Sequence, residues 1–184
     1  MAFYTGIGSR ETPEVVLNQM QNYAKALKAN GFILRSGGAG GADSAFETNS
    51  LDDEIYLPWD DFNDKQSNLI LSSMKNYKKA EKILKTVVDE HHWNSLSSGG
   101  KKLHTRNVYQ ILGQDLKTPS DFVIAWTKNG LLKGGTATAL KLAALHDVKI
   151  YNLALIEDCK LLDEFIVSLP HQIEKQKLVS EIIF

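Results

Sequence analysis

RSGGAGGADSAFE, residues 35–47, is the stretch from which the fold can be read. Phe32, Ile33 and Leu34 precede it as an apolar run of the length of a short buried strand. Four glycines follow within five positions: Gly37, Gly38, Gly40 and Gly41. Ala42, Ala45 and Phe46 then open a helical pattern, with Asp43 and Ser44 in its first turn. Strand, glycine-rich turn and helix start, in that order, let backbone N–H groups come close to an anion. No side chain blocks the approach, and the positive end of the helix dipole favours negative charge. The turn is therefore read as holding a phosphate, or a ribose beside one. A tight connection with left-handed φ values is the plainer alternative, but one glycine would serve it.

Working outward, residues 2–7 read as a first strand that ends at Gly6, Ile7, Gly8, Ser9 and Arg10. Thr12 and Pro13 open a helix whose apolar positions, Val16, Met20, Tyr23, Ala24 and Leu27, follow helical spacing up to Gly31. After the focal turn the second helix is expected to run to about Leu51, and a third strand covers residues 54–57. This βαβαβ order predicts a doubly wound, mostly parallel sheet of Rossmann-like type. Between Pro58 and Pro119 no parallel strand is evident. Residues 65–74, 79–91 and 101–112 carry helical patterns, with a Ser/Gly break at 95–100. The spacing predicts a helical insertion over about 59–118 that forms part of a site or covers it. Residues 121–127 are the fourth strand, residues 129–138 a second glycine-rich turn into a helix, and residues 149–153 the fifth strand. A helix is expected at about 158–169. The tail after Pro170 reads equally as helix or edge strand.

The whole chain of 184 residues reads as a single domain. A formal net charge of −1 weighs against nucleic acid as a partner. No apolar run is long enough for a bilayer, the start lacks the pattern of a secretion signal, and the lone Cys159 suits a reducing, cytoplasmic compartment. His91 and His92 resemble a metal pair. Adjacent side chains on a helix diverge and no further ligand joins them, so no metal site is assigned, and the reading calls for no cofactor.

Strands one, two and four each end in a turn rich in Gly, Ser or Thr. In a doubly wound sheet these three ends meet where strand order reverses, the place where ligands bind. Glu11 stands where a dinucleotide fingerprint needs its third glycine, and no Gly-Lys-Ser/Thr follows the focal glycines. Neither an ordinary dinucleotide site nor a nucleoside triphosphatase is predicted.

GSRETP at 8–13, SGGAGGAD at 36–43, LPW at 57–59, HTRN at 104–107 and KGGTAT at 133–138 together resemble the SLOG superfamily. That group includes the LOG phosphoribohydrolases and the Rossmann-like domain of the DNA-processing protein DprA. The resemblance covers roughly residues 2–155, and the opening is most similar to DprA. It implies binding of a nucleotide or nucleotide-derived small molecule, such as a signalling nucleotide, by a sensor or sequestering protein. It also implies a homo-oligomer. Two alternatives come with it: a LOG-like hydrolase of N-glycosidic bonds and a DprA-like DNA-binding protein. Arg106 and Asn107 are similar in placement to LOG residues, and Gly134, Gly135 and Thr138 match the LOG glycine motif. Its acidic position holds Lys141, which turns the reading from turnover towards holding, and no catalytic residue is assigned. Asp43, Glu47, Asp60 and Asp61 are the carboxylates that remain as substitutes.

The candidate ligand-binding residues are drawn from each of these segments. Gly8, Ser9 and Arg10 come from the first turn. Ser36, Gly37, Gly38, Ala39, Gly40 and Asp43 come from the focal one. Arg106 is fitted to grip a phosphate in two places at once, with His104 and Asn107 sharing a helical face. Gly134, Gly135, Thr136 and Thr138 would supply amide and hydroxyl donors, and Trp59 and Trp126 would stack on a base. For the last two, packing is the plainer role.

Overall fold

The computed structural model describes residues 1–47, 51–132 and 134–183, with side chains up to 170. Six strands form one parallel sheet in the order β4-β3-β2-β1-β5-β6. They are β1 (Ala2–Gly8), β2 (Phe32–Ser36), β3 (Glu54–Leu57), β4 (Leu69–Ile70), β5 (Phe122–Trp126) and β6 (Lys149–Asn152). The chain winds from β1 outward to β4, then returns to β5 on the other side of β1. The strand order therefore reverses between β1 and β5, as a Rossmann-like sheet requires.

Strand parity divides the core in two. On β5, Phe122, Ile124 and Trp126 pack on one face, while Val123 and Ala125 pack on the other. The first face carries α1 (Glu14–Ala29), α2 (Ala42–Phe46) and α7 (Ile156–Ile183). The second carries α3 (Tyr77–Leu84), α4 (Glu90–Ser95), α5 (Ser98–Leu112) and α6 (Gly134–Leu145). The first face needs small residues on β1. A Cβ on Gly6 would lie 2.4 Å from the Phe46 ring, and one on Gly8 would lie 2.6 Å from the Ala42 methyl.

The insertion departs from its expected pattern. Leu69 and Ile70 pair in parallel with Tyr56 and Leu57, where no strand is evident from the sequence, and no helix spans 65–74. Two residues are too few to show period-two alternation. The edge strand is held by Ser67, whose hydroxyl donates to the Ile55 carbonyl at 2.6 Å and accepts from the Leu69 amide at 3.0 Å. The Ser/Gly stretch is not a break throughout. Ser97 caps α5 by accepting from the Gly100 amide at 3.1 Å, so Ser98, Gly99 and Gly100 form its first turn. Pro170 lies inside α7 instead of ending it, and the tail to Ile183 is helical. The expected end of the second helix near Leu51 crosses residues 48–50, which lie outside the described residues. α2 itself ends at Phe46.

Candidate functional site

A cavity of about 730 Å³ opens at the carboxyl ends of β1 and β5, where the strand order reverses. Its position follows from topology: helices depart to opposite sides there and leave a crevice between them. The loop after β1 forms one wall and the loop after β5, with the amino end of α6, another. α5 supplies the floor. The walls are pinned across the crevice. Ser9 donates its amide to the Trp126 carbonyl at 3.2 Å, and Lys128 pairs with Glu11 at 3.6 Å across the mouth.

α5 is the element that assembles the site. Arg106 Nη1 donates to the Gly37 carbonyl at 2.6 Å, which ties α5 to the focal turn. Asn107 Nδ2 donates to the Gly135 carbonyl at 3.0 Å, and His104 Nδ1 lies 2.9 Å from the Thr138 hydroxyl, which ties α5 to α6. Gln110 lies one turn beyond Arg106, fully buried, and its carbonyl oxygen accepts from the Thr5 hydroxyl at 2.6 Å. Leu103, His104, Arg106, Asn107 and Gln110 all line the cavity.

The two glycine-rich turns differ in what fills them. In the focal turn, the Asp43 carboxylate accepts from the Ala39 amide at 3.3 Å and lies 4.0 Å from Arg106. Burial pushes the Asp43 carboxyl up from its ordinary value. Arg106 and the amides of Ala39, Gly8 and Gly37 pull it back. The protein's own carboxylate thus occupies the place expected for a ligand's anion. Three of the four glycines there serve packing. A Cβ on Gly37 would lie 2.5 Å from the Arg106 guanidinium, and one on Gly38 would lie 2.7 Å from Leu57. Gly41, at φ +79°, has the Arg10 backbone 2.8 Å from where its Cβ would stand. At the start of α6, a Cβ on Gly134 (φ +74°) or Gly135 would meet nothing within 4 Å among the described residues. That helix end faces open space, with Gly134, Gly135 and Thr136 on the cavity wall.

Arg106 carries the electrostatics. It is 7% exposed, and its Nε finds no hydrogen-bond partner among the described residues. Burial pushes its pKa down, Asp43 opposes this, and nearby Arg10 adds to it. A guanidinium keeps its charge under such pressure, so a buried cation lies at the cavity wall, its unused Nε turned towards Gly37 in the focal turn. Among the described residues, both ends of the Gln110 side-chain amide are unpaired as well, and its Nε2 also lies against Gly37. Burial, then the charges of His92 and Arg106, hold His104 below its usual pKa.

Among the sequence-derived candidates, Gly8, Ser9, Arg10, Ala39, Asp43, His104, Arg106, Asn107, Gly134, Gly135 and Thr136 line this one cavity. Ser36 is buried beside it, its hydroxyl donating to the Gly6 carbonyl at 2.8 Å. Gly37 and Gly38 lie behind Arg106 and against Leu57, and Gly40 is exposed. Trp126 packs on the α1/α2/α7 face, as its strand parity dictates. Trp59 stacks edge-on against Phe62, with ring centres 5.1 Å apart. Thr138 holds His104. Lys133, first residue of the second glycine motif, lies outside the described residues. Sequence reading passed over Gln110, Thr127, Lys128 and Asn129, which also line the cavity. Gln110 was within reach, because it lies at i+4 from Arg106 on one helix. Asn129 adopts φ 55°, a left-handed turn that no apolar pattern reveals.

A comparison with models of known protein families and with curated proteins gave no match. Among solved structures, the chain is similar to DNA processing protein A from Helicobacter pylori, described in its single-stranded DNA binding mode. The identity is 16%, the TM-score 0.56, and the alignment covers 93% of this chain and 81% of that one. At that identity the likeness is one of fold, and it agrees with the DprA-like opening seen in the sequence. It also corrects one expectation. Near-neutral net charge weighs against nucleic acid as a partner, yet a protein of this fold binds single-stranded DNA. Net charge sums over the whole chain and says nothing of where the charges lie.

Proposed function

We propose that this chain binds single-stranded DNA and seats one nucleotide in the cavity between β1 and β5. Its phosphate meets the amino end of α6 and the Arg106 guanidinium. The single observation that carries the reading is the open amino end of α6, which faces the cavity beside the buried Arg106 guanidinium at the sheet's switch point. The likeness of fold to a single-stranded DNA-binding protein supports it.

Fluorescence anisotropy with a labelled thymidylate oligonucleotide tests it. Arg106→Ala should weaken binding about tenfold or more, the size of effect expected for hydrogen bonds to a charged group. Arg106→Lys should restore part of this through its charge. Arg106 also supports the focal turn, so Thr136→Val serves as a second variant that leaves that support alone. Unchanged affinity in both Arg106→Ala and Thr136→Val, with folding intact by circular dichroism, would overturn the reading.

The second reading is a free nucleotide-derived ligand. Ser9, Asn107 and Thr136, polar side chains on the cavity wall, favour it, since a base or sugar carries both donors and acceptors to match. Calorimetry with nucleoside monophosphates separates the two. For hydrolysis of an N-glycosidic bond the cavity offers less. Lys141 is exposed on α6, Glu47 is paired with Lys65, and Asp60 and Asp61 are exposed. Of the substitutes, Asp43 lines the cavity, where it holds the focal turn.

A further inference from the structure

The chain's charge is strongly segregated. Residues 75–102 hold seven lysines against three acidic side chains, while the rest of the chain carries 14 basic and 19 acidic ones. This basic segment is the part of the insertion that forms α3, α4 and the first turn of α5. On α3, Lys78 and Lys82, with Lys85 just beyond its end, recur at i, i+4 and i+7. They lie opposite the buried Ala80 and Leu84, so the lysines form one exposed stripe. Among the described residues, Lys78 is the one lysine of the three that pairs with an acid, Glu81 at 3.2 Å.

The stripe does not stand alone as a solvated helix face. The Lys85 ammonium lies 5.1 Å from the centre of the Trp93 ring, and that of Lys101, from α5, lies 5.4 Å from the same ring. Two helices thus place their cations together over α4. Next to Trp93, the exposed His92 ring stands 5.7 Å from His104, a wall of the cavity. Gly100, beside Lys101, also lines the cavity. Lysine side chains therefore lead from Lys101, beside the cavity mouth, over Trp93 to the far end of α3.

We infer that this strip, Lys101, Lys85, Lys82 and Lys78 by way of His92, is a track for the phosphodiester backbone of a single strand whose one nucleotide occupies the cavity. The track rests on the DNA-binding reading of that cavity and deepens it. A cavity for one nucleotide gives little grip on a long strand. A row of cations outside it supplies affinity that grows with strand length and falls with salt.

Binding of a thymidylate dinucleotide and of a thymidylate oligonucleotide of about 20 nucleotides, over a series of salt concentrations, tests the inference. Lys82→Glu/Lys85→Glu should weaken the longer probe about tenfold or more at low salt and flatten its salt slope by roughly two, about one for each lysine. It should leave dinucleotide binding unchanged. Lys25→Glu/Lys28→Glu, the same charge change on α1 across the sheet, should do far less. Equal weakening by the two pairs would mean only general electrostatics and would overturn the track. So would a Lys82→Glu/Lys85→Glu protein that binds the longer probe as before. If Arg106→Ala spares the dinucleotide while the α3 pair still weakens the longer probe, the cavity reading fails and the track stands.

Discussion

The two glycine-rich turns look alike in sequence and do opposite things. SGGAGGAD at 36–43 is crowded: Asp43 caps its amides, Arg106 takes the Gly37 carbonyl, and three of its glycines make room for neighbours. GGTAT at 134–138 is open: the first two residues meet nothing within 4 Å among the described residues, and the helix behind them points into the cavity. The richer glycine signal marks the part that is built, and the poorer one marks the part that is vacant. A run of glycines says that something approaches the backbone closely. Whether it is a guest or the protein itself is not written in the run.

This contrast can be broken experimentally, and the largest expected effect is at Asp43. Asp43→Ala leaves Arg106 without its carboxylate in a buried position and frees the Ala39 amide. It should cost about 3–5 kcal/mol, read from the midpoint of urea unfolding. A loss below about 1 kcal/mol would mean that Asp43 does not hold the turn.

The next test pairs one glycine from each turn. Gly37→Ala pushes a methyl into the Arg106 guanidinium and the Gln110 amide, and should cost about 1–3 kcal/mol of stability. Gly135→Ala enters open space on a helix, so stability should hold or rise by up to about 1 kcal/mol. DNA affinity should nonetheless drop several-fold, because the methyl stands on the cavity wall. The reverse pattern would erase the distinction between the turns.

The smallest effect concerns pH. His104 joins α5 to α6 and its folded pKa lies below the ordinary value. The unfolded chain therefore takes up a proton that the folded chain resists. Its contribution to stability is complete above about pH 6.5 and is lost as pH falls through the depressed folded value. Urea midpoints at about pH 7.5 and about pH 5 should differ less for His104→Asn than for the native chain. An equal difference in both proteins would show that His104 does not carry the dependence.

Much of the fold was legible because parallel strands bury both faces and leave apolar runs bounded by turn residues. β1, β2, β3, β5 and β6 all read in this way, and their order gave the convergence of three turns on one edge. β4 was not legible, since a two-residue strand held by Ser67 has no periodicity. The continuation of α7 through Pro170 contradicted the strongest local stop signal. In the site, Arg106 and Asn107 share α5, and both line the cavity. Trp126 was offered for stacking, and strand parity turns it to the opposite face.

What the chain's sequence settled alone is the doubly wound order of elements and the edge at which its turns gather. Both follow from local patterns: apolar runs, helix starts and the glycines between them. What only the tertiary structure decided is which turn is vacant. That depends on Asp43 and Arg106, 63 positions apart, meeting at 4.0 Å over one set of amides. An ion pair across such a separation is set by how α5 lies on the sheet, and no local pattern contains that.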